Sequence, residues 1–183
     1  MSKQKQNLSR QHFDFLVHAH YFEYDGYLHG WTTYLSDTMI IRVFEGRNTP
    51  SLVVRLKKEP EFTELHFGTI IEIFGKMTRE QYEETMQQQS IKDNFLFVTS
   101  LFREFEQVLI YQSENWWLNA QKLVYEKTAN IYKRTGQNPA DDTFYYNLYK
   151  YIKSKELNWT PKDPINEYWK YLEKKIGNNN SKI

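Results

Sequence analysis

The chain of 183 residues carries 24 Lys and Arg against 23 Asp and Glu, a formal net charge of +1, and no cysteine. It has room for one substantial core, no disulfide framework, and no overall charge that would select a polyanion as partner. Hydrophobic residues make up 40% and aromatic residues 17%, with 14 Tyr, 12 Phe and 5 Trp against 7 Gly and 5 Pro, which excludes intrinsic disorder and points to a globular domain.

From Phe13 to Phe74 the texture is that of strands, rich in β-branched and aromatic residues with turn signals at short intervals. A first strand is expected over 13–23, closed by the turn dipeptide Asp25-Gly26, and further strands over 27–35 and 39–45, separated at Ser36-Asp37. Gly46-Arg47-Asn48-Thr49-Pro50 reads as a turn, followed by a strand over 52–56 and, after a polar break at 57–61, a last strand region over 62–74 with Gly68 as a bulge or corner. Short connections between successive strands imply an antiparallel meander, since parallel pairing needs long crossovers.

The second half has helical spacing. Thr78-Arg79-Glu80-Gln81 is a capping box opening a helix to about Gln89. Asp93 is a candidate cap for the longest helix, whose apolar positions recur at three and four, with a break at Ser113-Glu114-Asn115 before a continuation that stops at Gly136. Asn138-Pro139 opens a helix over about 139–156, and Asp163-Pro164 opens a last one with Ile165, Tyr168, Trp169, Leu172 and Ile176 as its stripe. The expected fold class is therefore α+β: an N-terminal antiparallel sheet of about five strands covered by a C-terminal set of four to five helices. A single domain over 1–183 is expected, β-rich over 12–75 and helical over 78–177, with flexible ends at 1–10 and 178–183.

Three groups of residues carry chemistry. The hairpin over 21–31 has rings on both faces, more than one buried sheet face can absorb, so Tyr24, Tyr27 and Trp31 are expected to be partly exposed and available for recognition. Trp116 and Trp117 are adjacent on a helix and point about 100° apart, so at most one sits centrally and the other is a candidate interface anchor. A second group, Lys150, Lys153, Lys170 and Lys174, lies among tyrosines and Trp169 on the C-terminal helices. Lysines for phosphates and rings for stacking are the components of single-strand nucleic-acid binding.

The third group is His18-Ala19-His20. On a strand, residues two apart share a face and lie about 7 Å apart along it, so both imidazoles could ligate one divalent metal, with His12, His29 or His66 as third ligand. This motif, together with Tyr171-Leu172-Glu173-Lys174, resembles the HUH endonucleases, in which a His-hydrophobe-His strand holds a metal and a helical tyrosine attacks a DNA phosphate. The chain departs from that family in having only seventeen residues before the pair. Elsewhere, the carboxylates Glu80, Glu83 and Glu84 read as a solvated helix face, Asp141 and Asp142 as helix-end charges, and no Gly-x-Ser-x-Gly or phosphate-cradling glycine loop occurs.

The function expected from these features is a non-catalytic binding protein, a small inhibitor or adaptor for a protein partner through Tyr24, Tyr27, Trp31, Trp116 and Trp117. A homodimer through the same surface is an open alternative. A nucleic-acid binder through the lysines is the second reading and a metal-dependent nuclease the third. No cofactor is expected. Richness in Asn, Lys, Ile, Tyr and Phe matches A+T-rich coding and suggests a phage or mobile element, hence a host defence or host enzyme as target. The polar start of the chain and the lack of a long apolar run lead to an expectation of a cytoplasmic protein, in the host cytoplasm if phage-encoded, with no membrane association.

Overall fold

The structure, a computed structural model, describes residues 7–46, 49–137 and 142–161. The chain gathers into two compact units, Met1–Gln112 and Ser113–Ile183. The fold is α+β, with a five-stranded antiparallel sheet in the first unit.

The first unit opens with two short helices, α1 (Leu8–Phe13) and α2 (Phe15–His20), where a strand was expected. Residues 13, 15, 17 and 19 are apolar and, Leu16 apart, those between them polar, which mimics a strand. Burial instead falls on Ser9, Phe13, Leu16 and His20, the four-three-four spacing of one helix face. Local chemistry favours the helix as well. The Asn7 side chain accepts from the Arg10 amide at 2.8 Å, Arg10 bridges Asp14 one turn on at 3.1 Å, and Tyr21 at φ 58° ends the run in the left-handed region.

The strands β1 (Glu23–Leu28), β2 (Trp31–Leu35), β3 (Met39–Glu45), β4 (Pro50–Leu56) and β5 (Leu65–His66) pair in sequence order. The first hairpin turns at His29-Gly30, not at Asp25-Gly26, with both central residues at positive φ as a two-residue turn requires. Gly30 is doubly constrained, because a Cβ there would lie 2.7 Å from the Phe44 ring. Asp25 and Gly26 form a bulge in β1 instead, with Gly26 at φ 132°. Only Leu65 and His66 of the expected last strand pair with β4. Phe67–Ile73 is helix α3, in which the buried Phe67, Ile70 and Ile71 pack at helical spacing. Its β-branched residues favour a strand locally, and contact with the sheet overrides that preference. Gly68 lies in this helix and admits the Tyr82 ring, 3.0 Å from where a Cβ would be.

Helix α4 (Arg79–Gln87) begins with the expected capping box, Thr78 and Gln81 satisfying each other's amides. Helix α5 (Ile91–Ile110) is capped by Ser90, with Asp93 at the third helical position accepting from the Ser90 hydroxyl at 2.6 Å. The inner face of the sheet carries Tyr34, Met39, Ile41, Val43, Leu52, Val54 and Leu65, all buried, and helices α1, α3 and α5 lie against β3 and β4. Phe102 of α5 centres the aromatic core, with Phe13, Phe15 and Phe67 rings at 5.8–6.0 Å.

The second unit comprises α6 (Glu114–Thr135), capped by Ser113 and closed by Gly136 at φ 64°, and α7 (Thr143–Lys155), capped by Asp142. Tyr125 stacks on Tyr145 at 4.3 Å and 12°, with Trp159 edge-on at 5.3 Å. The Tyr132 hydroxyl donates to Asp142 and Lys122 pairs with Glu156, tying the two helices at either end. Burial, then the bond to Asp142, pushes the Tyr132 phenol up. The expected features at Arg47, Asn48, Asn138, Pro139, Asp141 and the helix beginning at Ile165 lie outside the described residues.

Candidate functional site: the outer face of the sheet

Alternate residues of the same strands form the outer face. Trp31 of β2 lies opposite Phe44 of β3, and Thr33 opposite Arg42, which in turn faces Val53 and then His66. Trp31 and Phe44 are half-buried and their rings are 5.0 Å apart. The Arg42 guanidinium sits 5.1 Å from the Trp31 ring and bonds both oxygens of Glu64, at 2.5 and 2.7 Å, while Arg55 reaches the same carboxylate at 3.7 Å. The result is an aromatic pair, its rings tilted by 39°, with the flanking cation locked in place, an arrangement that loses little side-chain entropy when covered.

On the edge strand β1, Leu28 continues this face, whereas Tyr24 and Tyr27, opposite Tyr34 and Thr32, stand on the inner-face side. Leu28, 69% exposed, pairs with Trp31, and Tyr27 is 48% exposed. Tyr24 rests on Tyr34 at 6.2 Å and receives the Arg10 guanidinium 4.4 Å from its ring centre. Arg10 is held in its ionised form chiefly by its bond to Asp14, which moves its pKa up. The outward side of β1 has no neighbouring strand in this sheet, so its backbone groups offer a further row of donors and acceptors. Thus Tyr24, Tyr27 and Trp31 all lie on the β1–β2 hairpin but on its two faces: Leu28 and, from β3, Phe44 and Arg42 join Trp31 on the outer face, and Tyr24 and Tyr27 stand on the other. Phe44 and Arg42 escape sequence reasoning because their proximity depends on the register of β2 with β3, and an apolar residue such as Phe44 carries no outward signal of its own.

The other expected residues are placed differently. In the second unit Trp117 is 1% exposed and Trp116 half-buried, with ring centres 6.3 Å apart, so Trp116 alone of the pair presents surface. On α7, Lys150 is exposed and lies 5.4 Å from the Tyr146 ring. The Lys153 amine donates to the carbonyls of Leu157 and Trp159 at 3.0 and 2.9 Å, closing the end of the helix. Tyr145, Tyr149 and Tyr151 are buried, so three of the expected stacking rings serve as core. Lys170, Lys174 and the Tyr171-Leu172-Glu173-Lys174 motif lie outside the described residues.

His18 and His20 are on helix α2, where residues two apart point about 200° from each other. His18 is exposed and His20 buried, so the convergent pair that a strand would supply is not formed. Among the described residues no group of three His, Asp or Glu is arranged to hold a metal. Likewise among the described residues, no helix is long and apolar enough to cross a membrane.

A second depression, about 310 Å³, lies beside the start of β4 and is lined by His66, Gly68, Arg79, Tyr82 and Glu83. Its guanidinium is engaged by Glu83 at 2.7 Å, and burial followed by the Glu83 charge pushes the Tyr82 phenol up, so the phenol stays protonated. Comparison with known proteins gives no match: no family model, no curated protein and no solved structure is significantly similar to this chain.

Proposed function

We propose that the protein is a binding module, an inhibitor or adaptor, that seats a protein partner on the aromatic hairpin formed by β1, β2 and β3. The observation that carries this reading is the exposed apolar surface around one free sheet edge, with Leu28, Trp31 and Phe44 on its outer side and Tyr24 and Tyr27 on the other. Large rings on a rigid scaffold supply most of the energy of protein interfaces, and an unpaired strand supplies main-chain hydrogen bonds.

Charge favours protein over nucleic acid at this surface. Between residues 21 and 46 four carboxylates, Glu23, Asp25, Asp37 and Glu45, stand against the single guanidinium of Arg42, net −3, and Arg42 is itself bound to Glu64. Such a patch repels phosphates, whereas a partner with an apolar centre and a basic rim complements it. The nucleic-acid reading through α7 is weaker because the Lys153 amine is already bonded to two carbonyls.

The test is co-purification from lysate of the source organism or its host, with and without nuclease, comparing the native chain with Trp31→Ala and Tyr27→Ala. A defined protein that survives nuclease and is lost with either substitution supports the proposal. Equal recovery by all three chains contradicts it, and recovery of nucleic acid in place of protein moves the function to the lysines.

A further inference from the structure

A cleft of about 240 Å³ in the first unit is lined by His20, Tyr21, Glu23, Asp37, Lys57 and Tyr111, among others. His20 is 93% buried (7% exposed) yet makes no short hydrogen bond. Its Nδ1 lies 3.5 Å from the Tyr111 hydroxyl, and its Nε2 lies 3.5 Å from Oε2 of Glu106, an oxygen that is itself buried. Arg103 approaches the same Glu106 oxygen at 3.8 Å and rests on the Phe15 ring at 3.6 Å. Only one neutral tautomer satisfies both neighbours: Nε2–H donates towards the carboxylate, which leaves Nδ1 as an acceptor facing the phenol. A base within reach of a hydroxyl and oriented by a carboxylate is the arrangement that activates an oxygen nucleophile. Both contacts are at the long end of the range and shorten as charge develops on the imidazole.

We propose that Tyr111 is a covalent acceptor site, its phenol activated by His20 as general base with Glu106 holding the imidazole, and that it takes an acyl group from an activated acyl donor such as an aryl ester. In the step, the Tyr111 O–H bond breaks and its proton passes to His20 Nδ1 as the phenol oxygen bonds to the carbonyl carbon. The tetrahedral adduct expels the leaving oxygen, which takes up the proton either from His20 or from water. The products are an acylated Tyr111 and the free alcohol or phenol. A phenol ester is a high-energy acyl compound, so the donor must be at least as activated; a simple alkyl ester would leave the equilibrium on the wrong side. Two carboxylates, Glu23 and Asp37, against one amine, Lys57, line the cleft, which disfavours the anionic phosphoryl alternative.

The molecule contains its own control. Tyr21 lines the same cleft and is 86% exposed against 64% for Tyr111, so a reaction governed by access alone favours Tyr21. The full chain is treated with p-nitrophenyl acetate at pH 8, where an unassisted phenol of pKa about 10 is only about 1% ionised. Release of p-nitrophenolate is followed, and the acetyl group is located by peptide mass spectrometry. The expected result is one acetyl group per chain on Tyr111, formed at least tenfold faster than on Tyr21, within the range a positioned base supplies. Glu106→Gln keeps the shape and an acceptor for Nε2–H but removes the charge that stabilises the imidazolium, so it slows labelling at least tenfold; Tyr111→Phe abolishes it. Labelling of Tyr21 at the same rate or faster overturns the proposal, as does an acetyl group that settles on His20 or a rate unchanged by Glu106→Gln. Because the native chain alone discriminates the two tyrosines, a substitution that fails to fold does not remove the test. No partner is present in the experiment, so its outcome is separate from that of the binding proposal.

Discussion

Along β2, β3, β4 and β5 the row Tyr34, Ile41, Val54 and Leu65 crosses the inner face with no residue more than 2% exposed, while the next row, Thr33, Arg42, Val53 and His66, crosses the outer face with guanidinium and imidazole among its members. The two rows share one backbone and differ by a single residue of register. The inner row is packed by helices on the same unit and has no freedom to take a ligand. On the outer face Val53 is closed off as well, at 2% exposed, and the accessible apolar surface is that of the neighbouring Trp31, Phe44 and Leu28, beside the Arg42–Glu64 pair. Stability is thus concentrated on the inner face, and if the proposed binding falls to the outer face and the β1 edge, substitutions on the two faces are expected to separate folding from binding.

The largest effect is expected on the inner face. Ile41→Ala removes a fully buried side chain and should cost about 2–5 kcal/mol, read as a lower urea midpoint, because the surrounding strands cannot collapse into the space. Glu64→Gln is next. It leaves two guanidinium groups, each with a buried Nε, beside a neutral amide, and should cost about 1–3 kcal/mol in the same measurement. A cost near that of Ile41→Ala would mean that the outer face is as much a structural element as the inner.

Trp31→Ala should cost only about 1 kcal/mol, the scale of one aromatic pair with its cation–π contact, a small part of a domain's total stability. Loss of the folded state in this variant would break the comparison. The smallest expected effect is one of pH. Burial first, then Lys92, lowers the His12 pKa, the ring being stacked on Phe95 at 5.5 Å. The unfolded chain therefore binds a proton more readily than the folded one, so stability is whole above the ordinary imidazole pKa of about 6.5 and declines as pH falls towards 5. His66 shifts the same way, through burial and Arg79, opposed by Glu64. His12→Phe should make the slope of stability against pH shallower between pH 7 and 5.

Much of the fold was legible in the sequence where local signals agree with packing. The span 39–45 is rich in β-branched and aromatic residues between two turn signals and is β3; the Thr78 box, the Ser113 break and the Gly136 stop each rest on a specific backbone hydrogen bond or dihedral. The misread spans are those where two periods coexist. Residues 13–23 alternate like a strand, yet Phe13, Leu16 and His20 also share a helix face, and only contact with α5 and β3 decides between them. The exposed hairpin rings were legible because two faces of rings exceed one core. The cluster of His20, Glu106 and Tyr111 was not, since it depends on α2 being a helix that turns His20 towards α5 some ninety residues on.

Whether the aromatic hairpin binds a protein while the inner face carries the fold is decided by nuclease-treated co-purification with the native chain and Trp31→Ala, alongside their thermal midpoints. The native chain should retain a defined protein, Trp31→Ala should lose it, and the two midpoints should differ by only a few degrees, about the shift that 1 kcal/mol produces in a domain of this size. Retention of the same protein by both chains, or its loss only with a collapse of the Trp31→Ala midpoint, would contradict it.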